Sequence, residues 1–396
     1  MAPTQPPLVE VRPVANAHNE WTALLLRGAR HAIDGATLQA LFGTSDLLAA
    51  AAPLDCIVML DSAALLTPAI LELLPPNRVV LAVRAGALAE EGVAKRLATL
   101  QRDGWRILLD GDPVPGTPLP PALRSRARSV AQEGATGWPA PASLPALFGP
   151  HLAHGVDSQA AYQACENAGF TWFEGDYPLA QRRAHSGGDG DGSDGSTRKR
   201  LLTLLALLAR DADSRALENQ LKQDPALSYH LLKLVNSAAF SCGTEIASFG
   251  QAISRIGRRQ MQRWLQLLLY ARTGPDGPPN LLLPLAALRG AALEALCARD
   301  GGERDEQDLA FMAGVFSLLD RLFHMPMDAI VADLCLPAHV EAALLRREGL
   351  LGRRLALAAS ARPDPAALDA AGVDGAGWWQ ARLHAYHWAI QVARNV

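Results

Sequence analysis

The chain has 396 residues, 49% of them hydrophobic and 19% charged, with 37 basic and 40 acidic side chains for a net charge of −3. That length accommodates two domains, each with its own core, and that charge balance gives no electrostatic basis for binding nucleic acid or an anionic membrane. The five cysteines (Cys56, Cys165, Cys242, Cys297 and Cys335) are scattered and lack C-x-x-C spacing. Reduced, mostly buried thiols are therefore expected in place of disulfides or a metal cluster. Met1–Pro7 carries no charged-then-apolar signal pattern, and no apolar run approaches the roughly 18 residues that span a bilayer. The expectation is a cytoplasmic protein without membrane insertion.

From the N-terminus, short apolar runs alternate with helical segments. The expected strands are Leu8–Val14, Thr22–Arg27, Cys56–Leu60, Arg78–Val83, Trp105–Asp110, Ala127–Ala131, Leu152–Val156 and Phe170–Glu174. Gly86–Gln101 and Ser158–Ala168 carry helical spacing between them. Strand–helix alternation with about eight strands implies an α/β barrel of the TIM-like kind. The region is short for such a barrel, so some of its helices must be trimmed.

Ser186–Thr197, a run of Gly, Ser and Asp, cannot bury apolar area and reads as a flexible tether. A calcium loop is the competing reading, with Asp189, Asp191 and Ser193 at positions one, three and five. Asp194 then stands where such a loop requires Gly, and Arg200 where it requires a bidentate Glu. The expected organisation is thus a barrel over 1–185, a linker over 186–197 and a second domain over 198–396.

That second domain is helical throughout. Leu201–Leu208 is apolar at helical spacing, and Asp213 or Ser214 caps the next helix. Asp224 is an N-cap with Pro225 at the first helical position, and Leu227, Leu231, Leu232 and Val235 form one apolar face. Asn236 and Ser237 close that helix and can satisfy loop backbone groups. Ser248 and Gln251 form a capping box, with Gly257 placed to end the helix they start. Met261, Trp264, Leu265, Leu268 and Leu269 make a buried stripe, followed by helices over Asp305–His324, Met327–Leu334, Ala338–Arg347 and Trp378–Val396. His384 and His387 are three apart on the last helix, but no third ligand accompanies them, so a surface or packing role is expected.

The order Asp224-Pro225, Asn236-Ser237, Ser248-x-x-Gln251, Gly257 and Trp264 resembles the HDOD domain, a helical relative of the HD phosphohydrolases without their metal site. The resemblance runs from about Arg198 to about Arg362. It implies a signalling or scaffolding module in which Asp224, Pro225, Asn236, Ser237, Gly257 and Trp264 mark the fold and carry no catalysis. An HD-type dinuclear site needs an adjacent His-Asp pair, and none of the ten histidines is followed by Asp.

The first half resembles the EAL domain, a barrel that hydrolyses cyclic di-GMP with divalent metals held by carboxylates. Thr22–Arg27 is similar to its Glu-x-Leu-x-Arg strand. Arg27 is kept, while Ala23 stands in the place of the ligand Glu. Ala82 likewise replaces a second carboxylate. In Gly104–Gly111 the Asp-Asp pair of the family is reduced to Asp110-Gly111. Ala153–Ser158 resembles a late Ala-Glu-Gly-Val-Glu-Thr motif with His154 and Asp157 at the two acidic positions, and Ala168–Gly175 resembles the closing strand. The family's barrel lysine is missing, since no lysine lies between Lys95 and Lys199. What the resemblance implies is a degenerate EAL-like barrel that needs no cofactor, because alanine and glycine offer no ligand oxygens for two-metal hydrolysis.

No Gly-x-Ser-x-Gly elbow, assignable Cys–His pair or Gly-rich phosphate loop supports another enzyme class. The expectation is a multidomain, non-catalytic bacterial signalling protein, associated with motility, biofilm or virulence. It would act on other signalling proteins and form a homo-oligomer if its surfaces allow, with cyclic di-GMP an improbable ligand. Two alternatives stand beside it. One is an effector that binds cyclic di-GMP without turnover through Arg27, Asp110, His154 and Asp157. The other is a residual enzyme of a different class using Asp110, His154 and Asp157 as acid and base.

Overall fold

The computed structural model describes residues 8–28, 33–111, 126–129, 150–180, 203, 206, 207, 213, 217, 257–270, 279–334, 336–362 and 364–395. The contacts divide the chain into two compact units. The first is Met1–Ala180 with Ser360–Leu368 and Asp374–Trp379, and the second is Gln181–Ala359 with Asp369–Val373 and Gln380–Val396. Among the described residues, no helix is long and apolar enough to cross a membrane.

The first unit is built on eight strands: β1 (Val9–Asn16), β2 (Trp21–Gly28), β3 (Asp55–Leu60), β4 (Val79–Arg84), β5 (Arg106–Asp110), β6 (Arg126–Ser129), β7 (Leu152–His154) and β8 (Trp172–Phe173). They close into a barrel in chain order, β2 to β8 parallel and β1 antiparallel to both of its neighbours. The β1–β2 turn is set locally. The Asn16 side-chain oxygen accepts from the backbone N–H of His18 and Glu20, and Asn19 takes the left-handed conformation that asparagine tolerates.

Helices α1 (Gly35–Gln39), α2 (Leu47–Ala50), α3 (Pro68–Leu73), α4 (Val93–Arg102) and α5 (Gln159–Asn167) lie between the strands. Side-chain caps start three of them: Asp34 for α1, Thr67 with Pro68 for α3, and Ser158 for α5. The single helix expected over Gly86–Gln101 is instead a 3₁₀ turn, Ala85–Ala89, followed by α4. The break falls at Gly92, whose φ of +81° ends the first piece and begins the second.

In β2, β3, β4, β5 and β7 most residues are buried on both faces, which is why these segments read as near-continuous apolar runs. The inward face carries Val14, Ala23, Leu25, Ile57, Val80, Ala82, Leu108 and Leu152, with Met59 and Trp172 packed against them. Two residues further along each strand, the same alternation brings Arg27, Arg84, Asp110, His154 and Glu174 to the C-terminal mouth. Because β1 runs the other way, its early residues Glu10 and Arg12 arrive at that mouth too, with Glu10 opposite Arg27.

The second unit contains α6 (Arg258–Leu268), α7 (Leu282–Arg299), α8 (Arg304–Phe316), α9 (Leu319–Phe323), α10 (Met327–Leu334), α11 (Ala338–Arg346) and α12 (Gly349–Ala359). Two further helices, α13 (Pro365–Ala370) and α14 (Gly375–Asn395), follow in the chain. The Asp305–His324 segment, expected as one helix, is α8 and α9. They are separated at Ser317, whose hydroxyl bonds back to the Gly314 carbonyl, and the second ends at His324 in the left-handed conformation. A reciprocal capping box of Glu303 and Glu306 starts α8.

Helices α7 and α8 cross at two glycines. A Cβ on Gly314 would lie 2.5 Å from the Gly290 Cα, so neither position has space for a side chain. Trp264 is buried on α6, its ring 5.7 Å from that of Trp388, and Phe311 meets Trp388 edge-on at 5.3 Å. The Arg263 guanidinium sits 4.4 Å over the Phe311 ring and pairs with Glu294, while Arg259 pairs with Asp308. Buried Arg354 joins three segments by donating to the carbonyls of Leu296 and Ala371 and pairing with Asp300.

Candidate functional site

The barrel mouth is the place where charged side chains converge. Glu10 is 1% exposed, yet it is held ionised. Its burial alone would raise the carboxyl pKa. Hydrogen bonds and charge from Arg27, with hydrogen bonds from Arg12 and Arg362, outweigh that and bring it down to about 2. Arg27 donates to both carboxylate oxygens, at 2.8 and 3.2 Å. Arg12 Nε lies 2.7 Å from Oε1. Arg362, from the Ser360–Leu368 segment of the same unit, donates to Oε2 at 2.9 Å.

Arg12 continues the network, with Nη1 3.3 Å from Glu174 and 3.1 Å from Asp176. Desolvation opposes its charge, but these carboxylates and Glu10 raise its pKa in balance. Glu174 accepts from the Gly155 backbone N–H with its other oxygen, at 3.1 Å. Beyond it, Gly175 runs so close to Val156 that a Cβ would fall 2.1 Å from the Val156 carbonyl oxygen.

A second pair sits on the same rim, where His154 Nε2 lies 2.9 Å from Asp110 Oδ1. The imidazole is almost fully buried, and its Nδ1 has no hydrogen-bond partner among the described residues. A carboxylate on one ring nitrogen holds the orientation of the ring. On the β4 side, Arg84 pairs with Asp61 at 2.6 Å near the surface.

The four mouth residues singled out from sequence therefore separate into three environments. Arg27 belongs to the Glu10 cluster, and Asp110 with His154 makes a dyad. Asp157 serves the backbone, its carboxylate 3.3 Å from the Asp176 N–H. Ala23 and Ala82 face the lumen, fully buried, in the apolar cluster. Of the motif residues in the second half, Asp224, Pro225, Asn236 and Ser237 lie outside the described residues. Gly257, with φ +82°, is the residue immediately before α6, and Trp264 is core. His384 and His387 are both exposed on α14.

Sequence reasoning missed Glu10, Arg12 and Glu174. The signal was present in Val9-Glu10-Val11-Arg12-Pro13-Val14, where two charges alternate with apolar residues on one strand face.

Among the described residues, no group of three or more His, Cys, Asp or Glu side chains could hold a metal ion. The chemistry on offer is one hydrogen-bonded His–Asp pair and a set of carboxylates already matched by guanidinium groups.

Comparison with solved structures places part of the chain beside two kinds of protein. A putative phosphohydrolase from Shewanella amazonensis is 16% identical, covering 50% of this chain and 93% of that one, with a TM-score of 0.36. The EAL domain of Mycobacterium smegmatis DcpA is 17% identical, covering 43% and 88%, with a TM-score of 0.33. Among curated proteins, the chain is 28% identical over 211 residues to the cyclic di-GMP phosphodiesterase CdgJ of Vibrio cholerae, covering 52% of this chain and 46% of that protein. It is 27% identical over 197 residues to the uncharacterized protein YuxH of Bacillus subtilis, covering 49% and 46%. The chain thus spans about half the length of the curated relatives it matches. Residues 198–326, which take in α6, α7, α8 and α9, match the HDOD domain.

Proposed function

We propose that this chain is a signalling protein of a cyclic di-GMP network that works through contacts with other signalling proteins and does not turn the nucleotide over. The cyclic di-GMP part rests on the HDOD match and on the likeness to CdgJ, whose name gives that protein's activity. The non-catalytic part rests on one observation: among the described residues, Glu10, Glu174 and Asp110 at the barrel mouth already have partners. Glu10 is held by three guanidinium groups, Glu174 by Arg12 and the Gly155 N–H, and Asp110 by His154. Two-metal phosphodiester hydrolysis needs carboxylate oxygens free to ligate, and the lumen-facing Ala23 and Ala82 supply none. The helical half adds no substitute, because the chain contains no His-Asp dipeptide.

The test is a product assay with cyclic di-GMP in Mg²⁺ or Mn²⁺, run beside an active EAL phosphodiesterase. Intact nucleotide after long incubation supports the proposal, and linear dinucleotide above background overturns it. Calorimetry with the same nucleotide, metal-free, separates the effector alternative. Heat at micromolar ligand would show binding without turnover.

The Asp110–His154 contact favours a second reading, a metal-free acid/base pair at the rim, in which a substrate hydroxyl or water would have to reach the buried His154 ring to give up its proton. Asp157 has no part in it. Loss of a measurable hydrolytic activity in His154→Gln, with the fold intact, would support it.

A further inference from the structure

Of the three guanidinium groups on Glu10, two are part of the strand ladder and one is not. Arg12 lies on β1 with Glu10, and Arg27 stands opposite it on β2, so both are fixed by backbone pairing. Arg362 comes from Ser360–Leu368, which the chain's contacts group with the barrel. Its side chain is 63% exposed, while the carboxylate it reaches is 1% exposed. Glu10 keeps two partners without it, since Arg12 and Arg27 both reach its carboxylate.

Arg362 is also presented by its own segment. The Ser360 hydroxyl donates to the Arg362 carbonyl at 2.9 Å and accepts from the Arg362 N–H at 3.2 Å, a local turn that fixes the residue before it meets Glu10. On its far side Asp364 accepts from the Ala366 N–H at the start of α13. The segment is thus ordered within itself, and among the described residues Arg362 carries its charge to the mouth.

We infer that Ser360–Leu368 is a strap fastened at the barrel mouth by a releasable latch, the Arg362–Glu10 ion pair. An exposed guanidinium on a buried carboxylate has an asymmetric breakage cost. Releasing it returns Arg362 to water at little loss, and Glu10 keeps Arg12 and Arg27. The mouth therefore has a fastened and an unfastened state separated by a small free-energy difference, as a switch element requires. Salt shifts the balance toward the unfastened state, because the exposed partner is screened.

Hydrogen–deuterium exchange on the full chain tests this, comparing the native protein, Arg362→Gln and Arg362→Lys. Arg362→Gln should speed exchange of peptides within 360–368 about fivefold, the scale of one partly exposed ion pair. Peptides of β3 and β4 should keep native protection, and Arg362→Lys should restore part of the slowing. Unchanged exchange over 360–368 in Arg362→Gln overturns the latch. Equal acceleration in β3 and β4 also overturns it, because it would make Arg362 a general brace of the fold.

Discussion

His154 Nε2 and Asp110 Oδ1 meet at 2.9 Å although their strands, β7 and β5, are not neighbours and β6 lies between them. Inward side chains of alternate strands share a layer in a closed barrel, so residues two strands apart can touch across the lumen. The contact therefore reports closure at the mouth as well as local chemistry.

Replacing Asp110 with Asn keeps the shape and removes the charge from the acceptor. The expected cost is about 1–3 kcal/mol, the range for a hydrogen bond to a charged group whose partner is buried. Urea unfolding of Asp110→Asn against the native protein measures it. An unchanged midpoint would show that the dyad adds nothing to the barrel.

Glu10→Gln leaves Arg12 and Arg27 without their shared counter-charge. Breaking a buried pair in this way costs on the order of 3 kcal/mol. The same residue gives a pH signature. Its carboxyl is depressed from an ordinary 4.5 to about 2, so the stability it contributes is complete above pH 4.5 and is lost as pH falls from there toward 2. The gap in unfolding free energy between native protein and Glu10→Gln should be constant from pH 7 to 5 and narrow below 4.5. A gap that stays constant down to pH 3 would contradict the assignment.

Gly314→Ala should lower the melting temperature of the helical unit by several degrees, through about 2 kcal/mol of overpacking against the Gly290 backbone. Gly86→Ala is the control, because a Cβ there meets nothing within 4 Å. Calorimetric scans of both variants give the comparison, and equal melting temperatures would show that the α7–α8 crossing yields easily.

Cys56 and Cys165 should resist alkylation at neutral pH. Both are fully buried, and burial pushes each thiol up to about 12, so almost none is thiolate. Mass spectrometry after a short iodoacetamide pulse should find both unmodified in native protein and both labelled in denaturant. Labelling of either in the native state would mean that the barrel opens on the timescale of the pulse.

Most strands were legible because they are buried on both faces and bounded by turn residues, and each observed strand overlaps an expected one. Their ends shifted where pairing, not propensity, decides. Phe170–Glu174 contributes only Trp172 and Phe173 to the ladder, since only those residues find partners on β1 and β7. Helices α7, α12 and α13 were not delimited within the helical half, and the first two are punctuated by residues that usually interrupt helices. Pro284 is tolerated in the first turn of α7, and Gly349 opens α12 in the left-handed conformation. At the mouth, Arg27, Asp110 and His154 were visible through motif order, whereas Glu10 and Arg12 were not. The alternating charges of β1 were there to read, but their place at the mouth comes from β1 running against the other strands, a direction set by pairing.

The ring of hydrogen bonds through β1, paired to β2 on one side and β8 on the other, has a consequence for recruitment. A sheet without an outermost strand offers no row of free backbone groups for an incoming peptide to extend. A protein that docks on these strands would therefore meet no open strand edge, and its specificity would lie in side chains.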